Sequence, residues 1–371
     1  MDRVATFSSN ITNITRMVIK FLNAFKGDSI LISVTDDENI ARNILIDSGT
    51  GATYYNDKER QKGELFSIVE HLKREGQKID LLIITHVDDD HIGGILKWIS
   101  KDSSAHKIIG QVWFNSGKLI AEHLNKKVNE DLEQLINRPS DNFTSISQGI
   151  KFETYIEEHG IWDRQLIKSK QQYDVFPGIS VEILSPNDIT LAKLVELYKK
   201  PKHDYFTSGK STDWNRSISD IIEEEKADSF SINSDASVSN GSSIAFILSS
   251  FGRKFLFLSD SHCDVVTEAL LNLGYSANNP LHVEFIKISH HGSDYNIDDT
   301  LLSLVNTNHY IILADGTKSN LPSKRCVARI IKANANSTIS FNYERVAQSI
   351  FTEQDRIEYP NVTINVIKNL S

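Results

Sequence analysis

The feature that most constrains this sequence is a short apolar run that ends in a dense cluster of ionisable residues. Residues 81–84 are apolar and of strand length, residues 86–91 then contain two histidines and three aspartates, and Gly93-Gly94 follows. Placing so many ionisable groups at one turn is unfavourable unless a divalent ion lies among them. The competing interpretation is a solvated acidic loop with two incidental histidines. The pattern favours a metal site at the end of a buried strand. Its ligands would be His86, Asp88, Asp90 and His91.

The first 115 residues alternate between strand-like and helix-like segments. Short β-branched runs predict strands, and apolar residues at helical spacing predict helices. This alternation is typical of a layered α/β or α+β sandwich. The predicted strands are 17–21, 29–34, 43–49, 81–84 and 108–114, and the predicted helices are 65–75 and 95–99.

The middle of the chain is richer in charged, helix-like sequence. Residues 118–136 predict one long amphipathic helix, which the polar segment 137–142 ends. We interpret residues 116–235 as a helical and loop elaboration within a single domain that spans 1–371. Further predictions in this part are helices over 148–158 and 191–200, a strand over 181–184 and a polar loop over 229–242.

Regular structure returns in the last third, and four predicted strands of the whole chain end in polar residues. A lone aspartate at a strand end is usually a turn or a helix cap, and tandem histidines are ambiguous by themselves. Four such endings together favour a metal site, because a sheet presents its strand ends along one edge. The four endings are Asp47, the 86–91 cluster, Asp260 and His290-His291. The late predicted strands are 243–249, 255–258, 283–288, 310–313 and two or three terminal ones, with helices over 265–273 and 324–333.

Composition narrows the class of protein. The net charge of −9 excludes a global electrostatic attraction to nucleic acid, and the basic patches at 199–203 and around Lys318 are typical of solvated surface. No stretch reaches the roughly 18 apolar residues of a membrane span, and residues 1–10 lack the pattern of a secretory signal. Cys263 and Cys326 are the only cysteines, which excludes a thiolate zinc site and predicts reduced thiols in a cytoplasmic protein.

The order of these residues resembles that of the metallo-β-lactamase superfamily, and most closely the hydrolase domain of ComEC competence proteins and its free-standing relatives. That order is Asp47, then His-x-Asp-x-Asp-His at 86–91, then a late Asp and a late His. The resemblance implies the metallo-β-lactamase fold, a four-layer αββα sandwich of the α/β class. The segments that carry it are 21–31, 43–49, 85–94, 240–243 and 289–293.

The resemblance also implies a ligand set for two divalent ions, with Zn²⁺ or Mn²⁺ favoured and Fe²⁺ or Mg²⁺ open. His86 and Asp88 would hold one ion. Asp90, His91 and one of His290 and His291 would hold the second. Asp260 would bridge the ions and, with Asp90, form the catalytic centre, while Asp47 would lie behind the ligands and hold His86 or its loop. Predicted contacts to a substrate phosphate are Asn240, Ser242, Ser293 and Lys318.

Two departures from the superfamily pattern concern the first ion. Asp88 stands where a histidine is usual, and the middle metal histidine has no clear equivalent. Nearby residues that could replace it are His203, Asp213 and Asp235. A third departure is Leu321-Pro322-Ser323, where the ComEC-like group tends to have His-Pro-Ser.

The function predicted from this resemblance is a metal-dependent phosphodiesterase or nuclease, acting on nucleic acid or a nucleotide-like phosphodiester with a metal-activated water. One alternative is hydrolysis of a lactone, thioester or amide bond, because one fold supports many activities. The other is a degenerate binding or regulatory module. In either case residues 118–200 could present a surface to a partner protein or a second copy of the chain.

Overall fold

Two β-sheets form the framework of the chain, and their strands arise from the apolar runs noted above. The computed structural model describes residues 17–126, 145–199, 213–227, 230, 233–317 and 321–371. The strands are β1 (Met17–Phe21), β2 (Ile30–Thr35), β3 (Ala41–Ile46), β4 (Tyr55–Asn56), β5 (Gln61–Lys62), β6 (Ile79–Ile84), β7 (Ile109–Phe114), β8 (Gln172–Phe176), β9 (Ile179–Ser185), β10 (Ala245–Ser250), β11 (Arg253–Phe257), β12 (Leu281–His282), β13 (Ile286–Lys287), β14 (Val305–Asn306), β15 (His309–Ile312), β16 (Thr338–Phe341), β17 (Thr363–Val366) and β18 (Asn369–Leu370).

Helices cover the outer faces of both sheets. They are α1 (Gly51–Tyr54), α2 (Glu64–Arg74), α3 (Asp89–Lys101), α4 (Gly117–His123), α5 (Ser145–Glu158), α6 (Asp188–Lys199), α7 (Ile218–Glu225), α8 (Cys263–Asn272), α9 (Asp299–Ser303), α10 (Lys324–Ala333), α11 (Glu344–Ser349) and α12 (Glu353–Glu358). Short 3₁₀ turns occur at Ala105–Ile108, Asn240–Ser242 and His290–Gly292.

The first sheet has six strands in the order β18-β1-β2-β3-β6-β7, and the second has eight in the order β17-β16-β15-β13-β11-β10-β9-β8. In the first sheet β3 and β6 are parallel, with Ile46 opposite Ile83. In the second, β11 and β13 are parallel, with Phe257 opposite Lys287. Each parallel pair therefore ends at one edge of its sheet, and the polar residues that follow emerge side by side.

The molecule has four layers (helices, sheet, sheet, helices), and one apolar cluster lies between each pair of neighbouring layers. Alternate residues of a strand face opposite sides of its sheet, so in β3 Leu45 packs under the helices while Ile44 and Ile46 face the second sheet. The layer between the sheets also contains Phe246 and Phe285. Helices α2, α3 and α5 cover the first sheet, and α7, α8 and α10 cover the second. This α/β sandwich, with helices outside two facing sheets, confirms the predicted fold class.

Several element predictions need correction. The helix predicted over 118–136 ends at His123 in its described part, because the chain turns at Asn125 with φ of 52°. Residues 127–144 lie outside the described residues, as does the predicted break at 137–142.

The segment 116–235 is not only an elaboration, since β8 and β9 belong to the second sheet. The helix that follows the His/Asp motif begins at Asp89 rather than at residue 95. The strand predicted over 283–288 is reduced to the two residues of β13.

Two further predictions concern the whole chain. Both cysteines are free, as the sequence indicated. Among the residues that the structure describes, no helix is both long enough and apolar enough to span a bilayer.

Candidate metal centre

The polar residues at the four strand ends meet where the edges of the two sheets face each other. Asp47 follows β3, His86 follows β6, Asp260 follows β11, and His290 and His291 follow β13. The connection between the sheets is direct, because the Ile244 amide donates to the Thr85 carbonyl at 3.1 Å. A shared edge brings together the four groups that the sequence placed at strand ends.

The backbone at this edge adopts unusual conformations. Asp47, Ser259, His290 and His291 all have positive φ, of 54°, 46°, 46° and 52°. Residues other than glycine rarely adopt this region, and such strain tends to concentrate at functional sites. Gly94 serves a second requirement, because a Cβ there would lie 2.0 Å from the Ser48 carbonyl oxygen. The glycine thus allows α3 to pack against the turn that carries Asp47.

Four imidazoles converge on a single carboxylate oxygen, Oδ2 of Asp260. The Nε2 atoms of His91 and His291 each lie 3.4 Å from it, that of His290 3.9 Å and that of His86 4.0 Å. Two atoms bound to one ion at about 2.0–2.2 Å cannot be more than roughly 4.4 Å apart. Each of these nitrogens can therefore share an ion with Asp260.

The burial and the hydrogen bonding of the atoms at the centre also fit a metal site. The Nε2 atoms of His86, His91 and His291 and Oδ1 of Asp260 are buried and have no hydrogen-bond partner among the described residues. Buried polar atoms in proteins are nearly always partnered, so a group of unpartnered donor atoms at one place fits a metal-binding site. Nitrogen and oxygen donors of this kind suit Zn²⁺, Mn²⁺ and Fe²⁺.

We call His91 and His291 the inner pair, because both are almost fully buried and closest to Asp260. Each inner histidine has a buried carboxylate at its other ring nitrogen. Nδ1 of His91 lies 2.8 Å from Asp47 Oδ2, and Nδ1 of His291 lies 3.3 Å from Asp28 Oδ1 and 3.1 Å from the Leu313 carbonyl. A proton held at Nδ1 leaves the Nε2 lone pair directed at the centre.

We call His86 and His290 the outer pair, and their Nδ1 atoms meet different groups. His86 contacts the Thr85 hydroxyl at 3.1 Å, and that hydroxyl donates to Asp47. His290 lies 3.1 Å from Asn296 Oδ1 and 3.3 Å from Asp235 Oδ2. The His290 side chain is also 27% exposed, whereas that of His86 is fully buried.

The two remaining carboxylates of the main motif point to different halves of the centre. Asp88 Oδ2 lies 3.6 Å from Nε2 of His86, and its Oδ1 accepts from the Ser239 hydroxyl at 2.7 Å. Asp90 Oδ2 lies 3.8 Å from Nε2 of His291 and 3.6 Å from Lys26 Nζ. Asp88 therefore lies beside His86 and Asp90 beside His291, and their assignment to two different ions stays a prediction.

The electrostatic field of the centre is strongly negative. Burial lowers the pKa of His291, but Asp260 and Asp28 outweigh it and raise that pKa to about 10. Burial also lowers the pKa of His91, but Asp260 and Asp47 outweigh it and raise that pKa well above its usual value. Burial raises the pKa of Asp260, yet the surrounding histidines hold it well below its usual range. A field that retains protons on imidazoles also favours a divalent cation, whose binding displaces those protons.

Asp28 is a central residue to which the sequence analysis assigned no role. Its ligand atoms and those of His91, Asp260 and His291 all lie within 4.8 Å of one another. Asp28 is buried in an ion pair with Lys287, whose Nζ also donates to the Ser259 carbonyl at 3.2 Å. Burial raises the pKa of Asp28, but Lys287 and His291 reverse this and lower it to about 2. The only sequence signal was its position in segment 21–31, one of those that carry the family resemblance.

Other predicted site residues have different roles in the structure. Asn240 is buried and donates to Asp235 at 2.7 Å, and the Ser242 hydroxyl donates to the Ser239 carbonyl at 2.6 Å; their contact with a substrate phosphate stays a prediction. Ser293 is buried and accepts from the Tyr295 amide at 3.2 Å. Asp213 accepts from the amides of Lys324 and Arg325 at the start of α10, which corrects its proposed role as a ligand. Two predicted residues, His203 and Lys318, lie outside the described residues.

One family model matches part of this chain. Residues 23–154 match the family model described as the metallo-beta-lactamase superfamily. No curated protein matches the chain at a significant level.

Solved structures with similar chain paths have low identity. Zn²⁺-bound PqqB from Methylobacterium extorquens is 10% identical, with a TM-score of 0.42 over 96% of this chain and 100% of that one. A CmlA β-hydroxylase mutant is 12% identical, with a TM-score of 0.38 over 95% of this chain and 53% of that one. A protein of unknown function from Enterococcus faecalis is 12% identical, with a TM-score of 0.32 over 93% and 64% of the two chains.

Proposed function

We propose that this chain, which carries a metallo-β-lactamase superfamily domain with the fold of that superfamily, is a hydrolase that binds two divalent ions and cleaves phosphodiesters. The observation that carries the proposal is the convergence of four histidine Nε2 atoms on Oδ2 of Asp260. A closer relationship to ComEC-type hydrolase domains is part of this proposal.

The donor set divides naturally between two ions that share Asp260. His86 and Asp88 would hold the first ion, which we call the outer ion. Asp90, His91 and His291 would hold the second, the inner ion. When bound, two such ions lower the pKa of a water between them toward neutrality and neutralise charge on a reacting phosphate.

The protein's own residues orient these donors and set the charge around them. Asp47 holds Nδ1 of His91, and the Leu313 carbonyl holds Nδ1 of His291 with Asp28 3.3 Å away, which keeps both Nε2 atoms free to bind. Asp260 and Asp90 would accept hydrogen bonds from the attacking water and so orient it toward the substrate. None of these tasks requires a loop to move, because the groups are already gathered at the sheet edges.

Two features favour a phosphodiester over a lactone, thioester or amide. Three carboxylates, Asp88, Asp90 and Asp260, make the donor set harder than one built on histidine, and hard oxygen-rich sites suit the metals that assist phosphoryl chemistry. Lys26, partly exposed beside Asp90, adds a cation at the side of the site where an anionic substrate would bind.

Hydrolysis of bis(p-nitrophenyl) phosphate tests this function. The protein is stripped of metal and reloaded with Zn²⁺, Mn²⁺ or Mg²⁺, and turnover is compared with that of Asp260→Asn. We expect metal-stimulated turnover that falls at least about 100-fold in the variant, because one substitution removes the carboxylate charge that would be available to both ions. Glu268→Gln, an exposed carboxylate change on α8, is the matched control and should retain full turnover.

The outcomes separate the remaining classes. The protein could bind metal tightly and hydrolyse a lactone or thioester but no phosphodiester. It would then be a hydrolase of that other bond class. A protein that binds no metal would be a binding module, and the proposal would fail.

A further inference from the structure

The superfamily pattern has a middle histidine for the outer ion, and no described histidine between the main motif and Asp260 fills that position. His106 and His159 stack on each other with ring centroids 4.2 Å apart, and Nδ1 of His159 contacts the Tyr155 carbonyl. His123 lies beside Asp188 on α6, with its Nε2 3.7 Å from Oδ1. These three are engaged elsewhere.

The segment where a middle histidine would be expected instead supports His290. Asn240, in the 3₁₀ turn before β10, donates its amide to Asp235 Oδ2 at 2.7 Å. That same oxygen lies 3.3 Å from Nδ1 of His290 and accepts from Asn296 Nδ2 at 3.0 Å. Asn296, which is fully buried, also places Oδ1 3.1 Å from Nδ1 of His290. Three polar side chains thus fix the ring by the nitrogen that does not face the centre.

The backbone explains how two adjacent histidines can both face Asp260. Side chains of consecutive residues in an extended strand point in opposite directions. Here His290 and His291 both have positive φ, and the His290 amide is held by the Ser259 carbonyl at 2.8 Å. The turn therefore directs both Nε2 atoms at the same carboxylate oxygen, at 3.9 and 3.4 Å. An unfavourable conformation repeated at two residues is hard to explain if only one ring is needed.

We propose that the tandem histidines are divided between the ions, so that His290 completes the outer ion's site in place of the middle histidine. This inference rests on the two-ion centre of the proposed function. It gives the outer ion the donors His86, Asp88, His290 and Asp260, and the inner ion Asp90, His91, His291 and Asp260. Asp235, Asn240 and Asn296 then become positioning residues for His290.

Metal stoichiometry tests the division without relying on activity. Wild-type protein, His290→Ala and His291→Ala are titrated with Mn²⁺, and bound metal is counted by native mass spectrometry. Electron paramagnetic resonance of the Mn²⁺-loaded proteins shows whether two ions are magnetically coupled. We expect two coupled ions in the wild type, and one tightly bound, uncoupled ion in His290→Ala. In His291→Ala the tighter ion should lose affinity by at least about 100-fold. His282→Ala, an exposed histidine on β12, should match the wild type.

His290→Gln provides a second variant should the alanine protein fold poorly, and circular dichroism in chelator checks the fold of each. Two coupled ions of unchanged affinity in both His290 variants would overturn the division while leaving the two-ion hydrolase intact. A wild type that binds fewer than two ions would remove the proposed function and this inference together. Asp235→Asn should weaken only the outer ion, by about tenfold; equal weakening of both ions would contradict the positioning role.

Discussion

The inner and outer histidines differ most in what lies behind them. Behind the inner pair are two buried carboxylates, Asp47 and Asp28, each within 3.3 Å of an imidazole Nδ1. Behind His86 is a neutral hydroxyl, and behind His290 are an amide and the carboxylate of Asp235 at the rim of the centre. Because charge behind an imidazole increases its basicity as a ligand, the inner ion should be held more tightly than the outer one.

The inner pair also links the two sheets. His291 follows β13 of the second sheet, yet its orienting carboxylate, Asp28, lies in the connection between β1 and β2 of the first. Lys287 of β13 in turn neutralises Asp28. The inner half of the centre is thus part of the packing between the sheets, whereas the outer half rests on the turn at 239–242 and the loop at 290–296. Substitutions in the inner half should therefore reduce the free energy of unfolding as well as the affinity for metal.

The largest expected effect is on the free energy of unfolding, and it comes from Lys287→Met. This change retains the apolar stem of the side chain but removes one partner of the buried ion pair with Asp28, which typically destabilises a protein by about 3–5 kcal/mol. Urea unfolding of the metal-free protein measures the loss. The double variant Asp28→Asn, Lys287→Met should recover much of it, because no unpaired charge is then buried.

Lys254→Met is the matched control, since this lysine on neighbouring β11 is only half-buried and contacts a neutral group, the Tyr275 hydroxyl. We expect it to change stability by less than about 1 kcal/mol. If Lys287→Met proved equally mild, Asp28 would not carry a buried charge, and the contrast between the two pairs would lose its electrostatic basis.

Asp47→Asn should have the next largest effect, which is a loss of affinity for the inner ion. Asp47 accepts from the Thr85 amide, from the Thr85 hydroxyl and from Nδ1 of His91, at 2.7–2.8 Å. The asparagine cannot accept all three bonds, so the inner ion should lose about 10- to 100-fold in affinity. A competition titration with a chelator resolves the two ions, and the outer ion should change by no more than about threefold. Equal losses at both ions would show that Asp47 supports the centre as a whole.

The sequence predicted the candidate ligands at the sheet edges but not all of the residues that lie behind them. The candidate ligands at the sheet edges were identifiable because each follows an apolar run, and strand ends gather at sheet edges. Asp28 and Asn296 were not, because neither follows an apolar run and each meets its partners only through loop geometry. The predicted helix over 118–136 failed in its described part for a related reason: the amphipathic pattern continues past Asn125, but the backbone turns there. Apolar periodicity reports which face is buried, and it does not report a turn that a single residue makes.

The smallest effect is expected from Ser239→Ala, which tests the outer half alone. The Ser239 hydroxyl donates to Asp88 Oδ1 at 2.7 Å, and the opposite oxygen of Asp88 faces His86. Losing one hydrogen bond of about 1 kcal/mol should weaken the outer ion roughly fivefold and leave the inner ion unchanged. Ser303→Ala, an exposed serine on α9 whose hydroxyl donates to the Thr300 carbonyl, is the control for the titration. If Ser239→Ala weakened the inner ion as well, the two halves would be coupled through Asp260, and the centre would have to be treated as one cooperative unit rather than as two sites of different affinity.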